Sequence, residues 1–201
     1  MSLSKGHSDP APLHCSAMAR ADFVEVFGGV YEHSPWVAES AWSRGLGAEH
    51  DSVAGLSGLF REIVEQAGPQ RHRVLIWAHP DLAGKAAVRG ELTADSTSEQ
   101  AGAGIDQCSE KEFEHFQNCN TAYKEKFGFP FIMAVKGSNR TAILNAFEHR
   151  LHNDRDAEFH RALEEIHRIA AFRLEQIAKA TPSRRDSIAK SPSPACGRGL
   201  G

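Results

Sequence analysis

The sequence predicts an all-α protein, a single compact domain built from several helices. Apolar residues recur at i, i+3 and i+4 through most of the 201-residue chain, which is the repeat of helices that bury one face. Strictly alternating strand patterns and Asn-Gly hairpin turns do not occur in the sequence. Glycine and proline interrupt the repeat often enough to separate seven or eight helices.

Four segments show the helical repeat most clearly. Their apolar positions are Val53, Leu56, Phe60, Ile63 and Val64; Phe113, Phe116, Tyr123 and Phe127; Ile143, Leu144, Phe147 and Leu151; and Phe159, Leu163, Ile166, Ala170, Leu174 and Ile177. Residues 74–77 are four consecutive apolar residues. Such a run fits a short strand and a buried helical turn equally well.

Composition divides the chain into a folded middle and two polar ends. Residues 1–19 are polar and contain proline, and residues 180–201 are rich in Ser, Pro and Gly. Such segments cannot bury enough apolar surface to fold. We therefore expect a disordered extension at 1–19, one helical domain at 20–179 and a disordered tail at 180–201.

The bulk properties argue against several classes of protein. A net charge of −3 gives no footprint for nucleic acid, and no apolar run approaches the roughly 18 residues of a membrane helix. The four cysteines lack CxxC spacing, so we expect neither disulfides nor zinc, and a reducing cytosol is the default.

His79 stands at a break in the chain that displays its imidazole. It ends an apolar run and precedes Pro80, which disfavours helical geometry at His79. An imidazole is also the side chain best suited to exchange protons near neutral pH. A surface histidine in a loop is the alternative interpretation of this residue.

Residues 96–100 combine a capping signal with polar side chains, in the order Ser96, Thr97, Ser98, Glu99 and Gln100. The pattern S-x-x-E predicts a capping box in which Ser96 begins a helix. That role explains the residues without any function. The same helix start could also attract ligand oxygen atoms, and Gln100 adds an amide that both donates and accepts.

An extended apolar segment follows Lys126-Phe127-Gly128-Phe129-Pro130. It consists of Phe131, Ile132, Met133, Ala134 and Val135. It could simply fill the core between two helices. Alternatively, its extended backbone could offer N–H and C=O groups to a flat, urea-like ligand.

Arg173 interrupts the apolar face of the last predicted helix. At about 100° per residue it shares the face of Ile166 and Ile177. A buried guanidinium must find an anion, because an unpaired buried charge costs several kcal/mol. The partner could be a structural carboxylate or the carboxylate of a substrate held bidentately.

Two E-x-x-H pairs raise the alternative of a di-iron helical bundle. They are Glu112 with His115 and Glu164 with His167. On a helical wheel, His115 points away from the apolar face and Glu164 falls outside it, whereas metal ligands must point inward. Glu112 also forms a capping box with Ser109. We therefore predict no metal site.

The motifs together resemble the 2-oxo-4-hydroxy-4-carboxy-5-ureidoimidazoline (OHCU) decarboxylase family over about residues 20–179. The residues that carry the resemblance are His79-Pro80-Asp81-Leu82, Ser96-x-x-Glu99-Gln100, Lys126-Phe127-Gly128-Phe129-Pro130-Phe131 and Ile169-Ala170-x-x-Arg173-Leu174. The resemblance implies an all-helical homodimer without cofactor or metal. It also implies the reaction of that family, which converts OHCU to (S)-allantoin and CO₂ in urate degradation.

The resemblance also implies residue roles. His79 is expected as the catalytic acid/base and Glu99 as its companion. The substrate cradle is expected to comprise Pro80, Ser96, Thr97, Ser98, Glu99, Gln100, Phe131, Ile132, Met133, Ala134, Val135 and Arg173. Because residues 199–201 differ from the Ser-Lys-Leu peroxisomal address, we expect a cytoplasmic enzyme with a ureidoimidazoline substrate.

Two alternatives come from other classes of protein. One is a metal-dependent helical-bundle oxidase that uses the E-x-x-H pairs. The other is a helical interaction module without activity, in which capping and core packing explain every motif.

Overall fold

The computed structural model describes residues 12–84 and 90–180. Within these ranges the secondary structure is entirely helical, which confirms the predicted all-α class. Eight α-helices lie in the described ranges, in order α1 Arg20–Phe27, α2 Trp36–Arg44, α3 Val53–Glu65, α4 Gly68–Trp77, α5 Ala94–Gly102, α6 Glu110–Phe127, α7 Arg140–Arg150 and α8 Arg155–Ala180. Three short 3₁₀ turns, Cys15–Ala17, Ala48–Asp51 and Ile105–Gln107, connect or precede them.

The long helix α8 is the centre of the bundle, and α3, α4 and α6 pack against it. One aromatic cluster joins α1, α3 and the loop after α1 through Phe23, Phe27, Tyr31 and Phe60. The other surrounds Tyr123 of α6 and includes Phe127, Phe129, Phe131 and Phe147. The apolar faces predicted for the four strongest segments are therefore the faces that build this core.

Residues 74–77 are helical and complete α4. Leu75 and Ile76 are fully buried, while Val74 and Trp77 are 58% and 57% exposed. The sequence could not distinguish the buried from the exposed residues of this run, because both faces of the helix carry apolar side chains.

The start of α5 corrects the capping box expected at Ser96. Thr93 is the N-cap, and its hydroxyl accepts a hydrogen bond from Ser96 N–H at 3.3 Å. The helix therefore begins before Ser96, whose hydroxyl is buried and points to Glu32 instead. The second expected capping box is confirmed. The Ser109 hydroxyl accepts a hydrogen bond from Glu112 N–H at the start of α6, and the Glu112 carboxylate accepts one from Ser109 N–H.

The folded part of the chain starts earlier than the boundary expected at residue 20. Leu13 and Cys15 are buried, and Leu13 N–H donates to the carbonyl of Asp51 at 2.7 Å. Ser16 binds the Asp51 carboxylate through both its N–H and its hydroxyl. Residues 1–11, residues 181–201 and Lys85 of the His79 motif lie outside the described residues. In the described helices, none combines the length and apolar character needed to cross a membrane.

Candidate active site

His79 is held at the end of α4 by the helix that precedes it. His79 N–H bonds the carbonyl of Ile76 at 3.2 Å, so the Leu75 carbonyl loses its usual main-chain partner. The ring takes its place, with Nδ1 2.9 Å from Leu75 O. A carbonyl only accepts, so we assign the proton to Nδ1 and leave Nε2 as the basic nitrogen.

The His79 ring is neutral at physiological pH. Burial lowers the pKa of His79 from 6.5 to about 4, although the hydrogen bond to Leu75 and the charge of Glu32 act in the opposite direction. A neutral ring with a free Nε2 can accept a proton from a bound molecule without first losing one.

Arg173 enters the site from α8, and each of its three guanidinium nitrogens has protein partners. Nε and Nη2 bind the two oxygens of Glu99 at 2.8 and 3.0 Å. Nη1 binds Glu32 at 2.7 Å and the carbonyl of Gly29 at 3.4 Å, and Nη2 also reaches the Ser96 hydroxyl. Burial alone would lower the pKa of Arg173, but these carboxylates raise it. The buried cation predicted from periodicity is therefore present and fully paired.

Glu32 is a site residue that the sequence did not reveal. It lies in the loop between α1 and α2, is 1% exposed, and accepts hydrogen bonds from the hydroxyls of Thr93 and Ser96 at 2.7 and 3.1 Å. Burial alone would raise the pKa of Glu32, but Thr93 and Arg173 lower it below its usual range. The only signal in the sequence was the need of Arg173 for an anion.

Helix α5 presents one face to the site and the other to solvent. Ser96 and Gln100 are buried, Glu99 is half-buried, and Thr97 and Ser98 are exposed. The Gln100 carbonyl oxygen accepts from Ala83 N–H at 3.1 Å, while its amide nitrogen is buried without a hydrogen-bond partner in the described residues. That nitrogen is a free donor beside the site.

Residues 131–135 form an extended wall opposite α5. Ile132 C=O accepts from Arg150 at 2.7 Å, and Ala134 N–H donates to Glu165 at 2.9 Å. In an extended chain, successive residues direct their N–H and C=O groups to opposite sides. We infer from this alternation that the N–H and C=O of Met133, which lines the cavity, face the other side; within the described ranges these groups have no hydrogen-bond partner.

These elements enclose one small cavity. It is lined by His79, Pro80, Leu82, Ser96, Glu99, Gln100, Phe131, Ile132, Met133, Val135, Ile169 and Arg173. Of the residues expected at the site, the structure brings all but Thr97, Ser98 and Ala134 to this cavity. Leu82 and Ile169 line it too, although the sequence did not single them out for this site.

The cavity volume of about 30 Å³ is far below the roughly 300–1,000 Å³ of typical small-molecule sites. A ureidoimidazoline could enter only if a lining side chain moved. Glu99 has the most exposed side chain of the Glu32, Glu99 and Arg173 cluster, at 17% against 1% and 3%. It is therefore the member of the cluster with most freedom to move.

The E-x-x-H residues have other partners. Glu112 pairs with Arg140, and Glu164 pairs with Arg61. The His167 ring binds the Tyr31 hydroxyl at 2.8 Å, and His115 lies 3.8 Å from Glu148. Among the described residues, no three or more His, Cys, Asp or Glu side chains lie close enough together to hold a metal ion.

Comparison with known proteins identifies the family. The sequence profile described as OHCU decarboxylase matches residues 16–175. The chain belongs to the OHCU decarboxylase family. It is 45% identical over 152 residues to the 2-oxo-4-hydroxy-4-carboxy-5-ureidoimidazoline decarboxylase of Haloferax volcanii, covering 76% of this chain and 86% of the relative. The enzyme of the same name from Halalkalicoccus jeotgali is 43% identical, with coverage of 77% and 84%.

A solved structure has a similar fold. The crystal structure of (S)-allantoin synthase superposes with a TM-score of 0.65 at 28% identity. The match covers 81% of this chain and 52% of the allantoin synthase chain. The match therefore spans about half the length of that allantoin synthase chain.

Proposed function

We propose that this protein decarboxylates OHCU to (S)-allantoin and CO₂, in the degradation of urate, without a metal or cofactor. The observation that carries the proposal is the His79 imidazole at a cavity that also holds the Arg173 guanidinium, paired with the partly exposed Glu99, and the Gln100 amide nitrogen, which has no partner among the described residues. Loss of CO₂ leaves an electron pair on the substrate, which its own imidazoline ring can accept. The protein then has to orient the substrate and move protons.

Substrate binding follows from the partners that Arg173 already has. An anionic group reaches Nε and Nη2 of Arg173 by displacing Glu99, whereas Glu32 stays buried on Nη1. The displacement enlarges the cavity and releases the Glu99 carboxylate beside His79. The free amide of Gln100 and the main chain of Met133 then offer hydrogen bonds to the ureido group.

His79 supplies the proton transfer. Its Nε2 takes the hydroxyl proton of the substrate, and the C–C bond to the carboxylate breaks with its electrons passing into the ring. The hydroxyl-bearing carbon becomes a carbonyl, His79 returns the proton to one face of the ring carbon that carries the ureido group, and a solvent proton neutralises the negative charge left when CO₂ departs. Protonation of one face by a fixed group gives a single enantiomer.

Polarimetry on freshly generated substrate tests the proposal. The wild-type protein should produce optically active allantoin faster than spontaneous decay, which gives a racemate. Activity lost on treatment with a chelator and restored by metal would favour the oxidase alternative. A rate equal to spontaneous decay, with no thermal shift in the presence of allantoin, would favour the interaction module.

We propose further that the enzyme is a cytoplasmic homodimer. The proposal of a dimer starts from the exposed Val74 and Trp77, which are one helical turn apart on α4 and offer apolar surface that a second subunit could cover. Analytical ultracentrifugation should give twice the 22.0 kDa chain mass. A Trp77→Ser variant should shift the equilibrium towards monomer.

A further inference from the structure

The extended wall of residues 131–135 is clamped from behind by two buried side chains, one of an arginine and one of a glutamate. Arg150 of α7 donates to Ile132 C=O, and Glu165 of α8 accepts from Ala134 N–H. Both side chains are buried, Arg150 at 6% and Glu165 at 1% exposure. A buried pair of main-chain groups fixed in this way cannot rotate without leaving a charge or an amide unpaired.

Arg150 is itself held by the core of the protein. Its guanidinium binds Glu158 at 2.8 Å and lies 4.3 Å from the centre of the Phe131 ring. Tyr123 and Asn153 also donate to Glu158. Arg150 therefore has a structural role in the core beyond its bond to the wall, and its removal would disturb folding.

Glu165 is different, because its other partners are at the surface. Arg161 and Arg168 bind its carboxylate at 2.7 and 3.1 Å, and their side chains are 53% and 56% exposed. Its one buried partner is Ala134 N–H. The hydrogen bond to this amide ties the wall to α8, the helix that also carries Ile169 and Arg173 into the cavity.

We infer that Glu165 is a positioning residue for substrate binding, an inference that rests on the proposed function. By holding Ala134 N–H on the rear side of the wall, it keeps the N–H and C=O of Met133 directed at the cavity, at a fixed distance from Arg173. Glu165 does not touch the substrate. It sets the geometry in which the ureido group meets the main chain.

Two conservative variants separate this role from a charge effect. Glu165→Gln keeps an oxygen within reach of Ala134 N–H but loses the negative charge that binds Arg161 and Arg168. Glu165→Asp keeps the charge but withdraws the carboxylate by one methylene, roughly 1.5 Å, from the amide. If positioning by the hydrogen bond matters, Gln should preserve function and Asp should impair it.

The kinetic measurement is KM and kcat for freshly generated OHCU, with the enantiomeric excess of the allantoin formed. We expect Glu165→Asp to raise KM about 10-fold, the effect of one buried hydrogen bond, and to lower the enantiomeric excess. kcat should change much less, and Glu165→Gln should stay within about twofold of wild type. Glu164→Gln, which removes the neighbouring exposed partner of Arg61, is the matched control.

Amide hydrogen exchange at Ala134 gives a readout that does not depend on activity. Exchange should be slow in wild type and Glu165→Gln and at least about 10-fold faster in Glu165→Asp. If these exchange rates differ as expected while wild type lacks OHCU turnover, the proposed function fails but the clamp stands. Equal exchange in all three proteins, or an impaired Gln variant beside a normal Asp variant, would overturn the positioning role.

Discussion

Glu32 and Arg173 form a buried ion pair, with Oε2 of Glu32 2.7 Å from Nη1 of Arg173 and side-chain exposures of 1% and 3%. Glu99 completes the cluster from the other side of the guanidinium. One cation is thus shared by two carboxylates, of which one is buried and one is partly open. This asymmetry assigns Glu32 to the fixed part of the site and Glu99 to the part that can yield to substrate.

Replacing Glu32 should destabilise the protein. Glu32→Ala leaves the hydroxyls of Thr93 and Ser96 and one side of Arg173 without their acceptor, and breaking a buried pair costs about 3–5 kcal/mol. Urea denaturation would measure the loss. Glu39→Ala, which removes an exposed partner of Arg20, should cost less than about 1 kcal/mol. Equal losses in the two variants would contradict the role of Glu32.

Replacing His79 should remove catalysis with little change in binding. His79→Ala should lower kcat by about 10²- to 10⁴-fold, as expected for the loss of a positioned acid/base, and any allantoin formed should be close to racemic. Stopped-flow absorbance combined with chiral chromatography measures both quantities. Thr97→Ala serves as the control, since Thr97 is exposed and lies outside the cavity. A His79→Ala enzyme that still gave one enantiomer would refute the assignment.

The pH dependence of kcat/KM follows from the buried state of His79. Its pKa of about 4 keeps the ring unprotonated from pH 8 down to about pH 5, so kcat/KM should be flat over that range. Activity should fall only as the pH approaches 4. An inflection near 6.5, the ordinary pKa of a histidine, would mean that the ring is solvated in the working enzyme.

His167 makes stability depend on pH. Burial lowers the pKa of His167 to about 4, whereas in the unfolded chain it titrates at its ordinary 6.5. Between these values the unfolded state binds more protons, so the stabilising effect is complete above pH 6.5 and is lost as pH falls towards 4. The loss from this residue alone is on the order of 3 kcal/mol.

The Tyr31–His167 pair supplies the variant that tests this prediction. His167→Gln should be less stable than wild type at pH 7, but its unfolding free energy should fall less steeply between pH 6.5 and 4. Urea titrations at a series of pH values measure both slopes. The exposed His115→Gln control should leave the wild-type slope unchanged. Parallel slopes for wild type and His167→Gln would exclude the buried histidine as the cause.

Local sequence patterns predicted the helices because helical burial has a short repeat. The apolar positions of α3, α6, α7 and α8 sit three or four residues apart and face the core, so periodicity found them. The sequence pattern misplaced the cap of α5. Ser96 matches the S-x-x-E pattern, but Thr93 caps the helix and the Ser96 hydroxyl donates to Glu32, which is 64 residues away in the chain.

The sequence by itself determined the helical class, the buried position of Arg173 and the family to which the chain belongs, because these depend on residue type and short spacing. Only the tertiary structure decided which side chains and main-chain groups pair with one another. Glu32, Glu99 and Arg173 meet because two helices, α5 and α8, and the loop after α1 pack together, and Glu165 reaches Ala134 because α8 lies behind the extended wall. Contacts between residues far apart in the chain depend on the packing of whole elements, which no local repeat encodes.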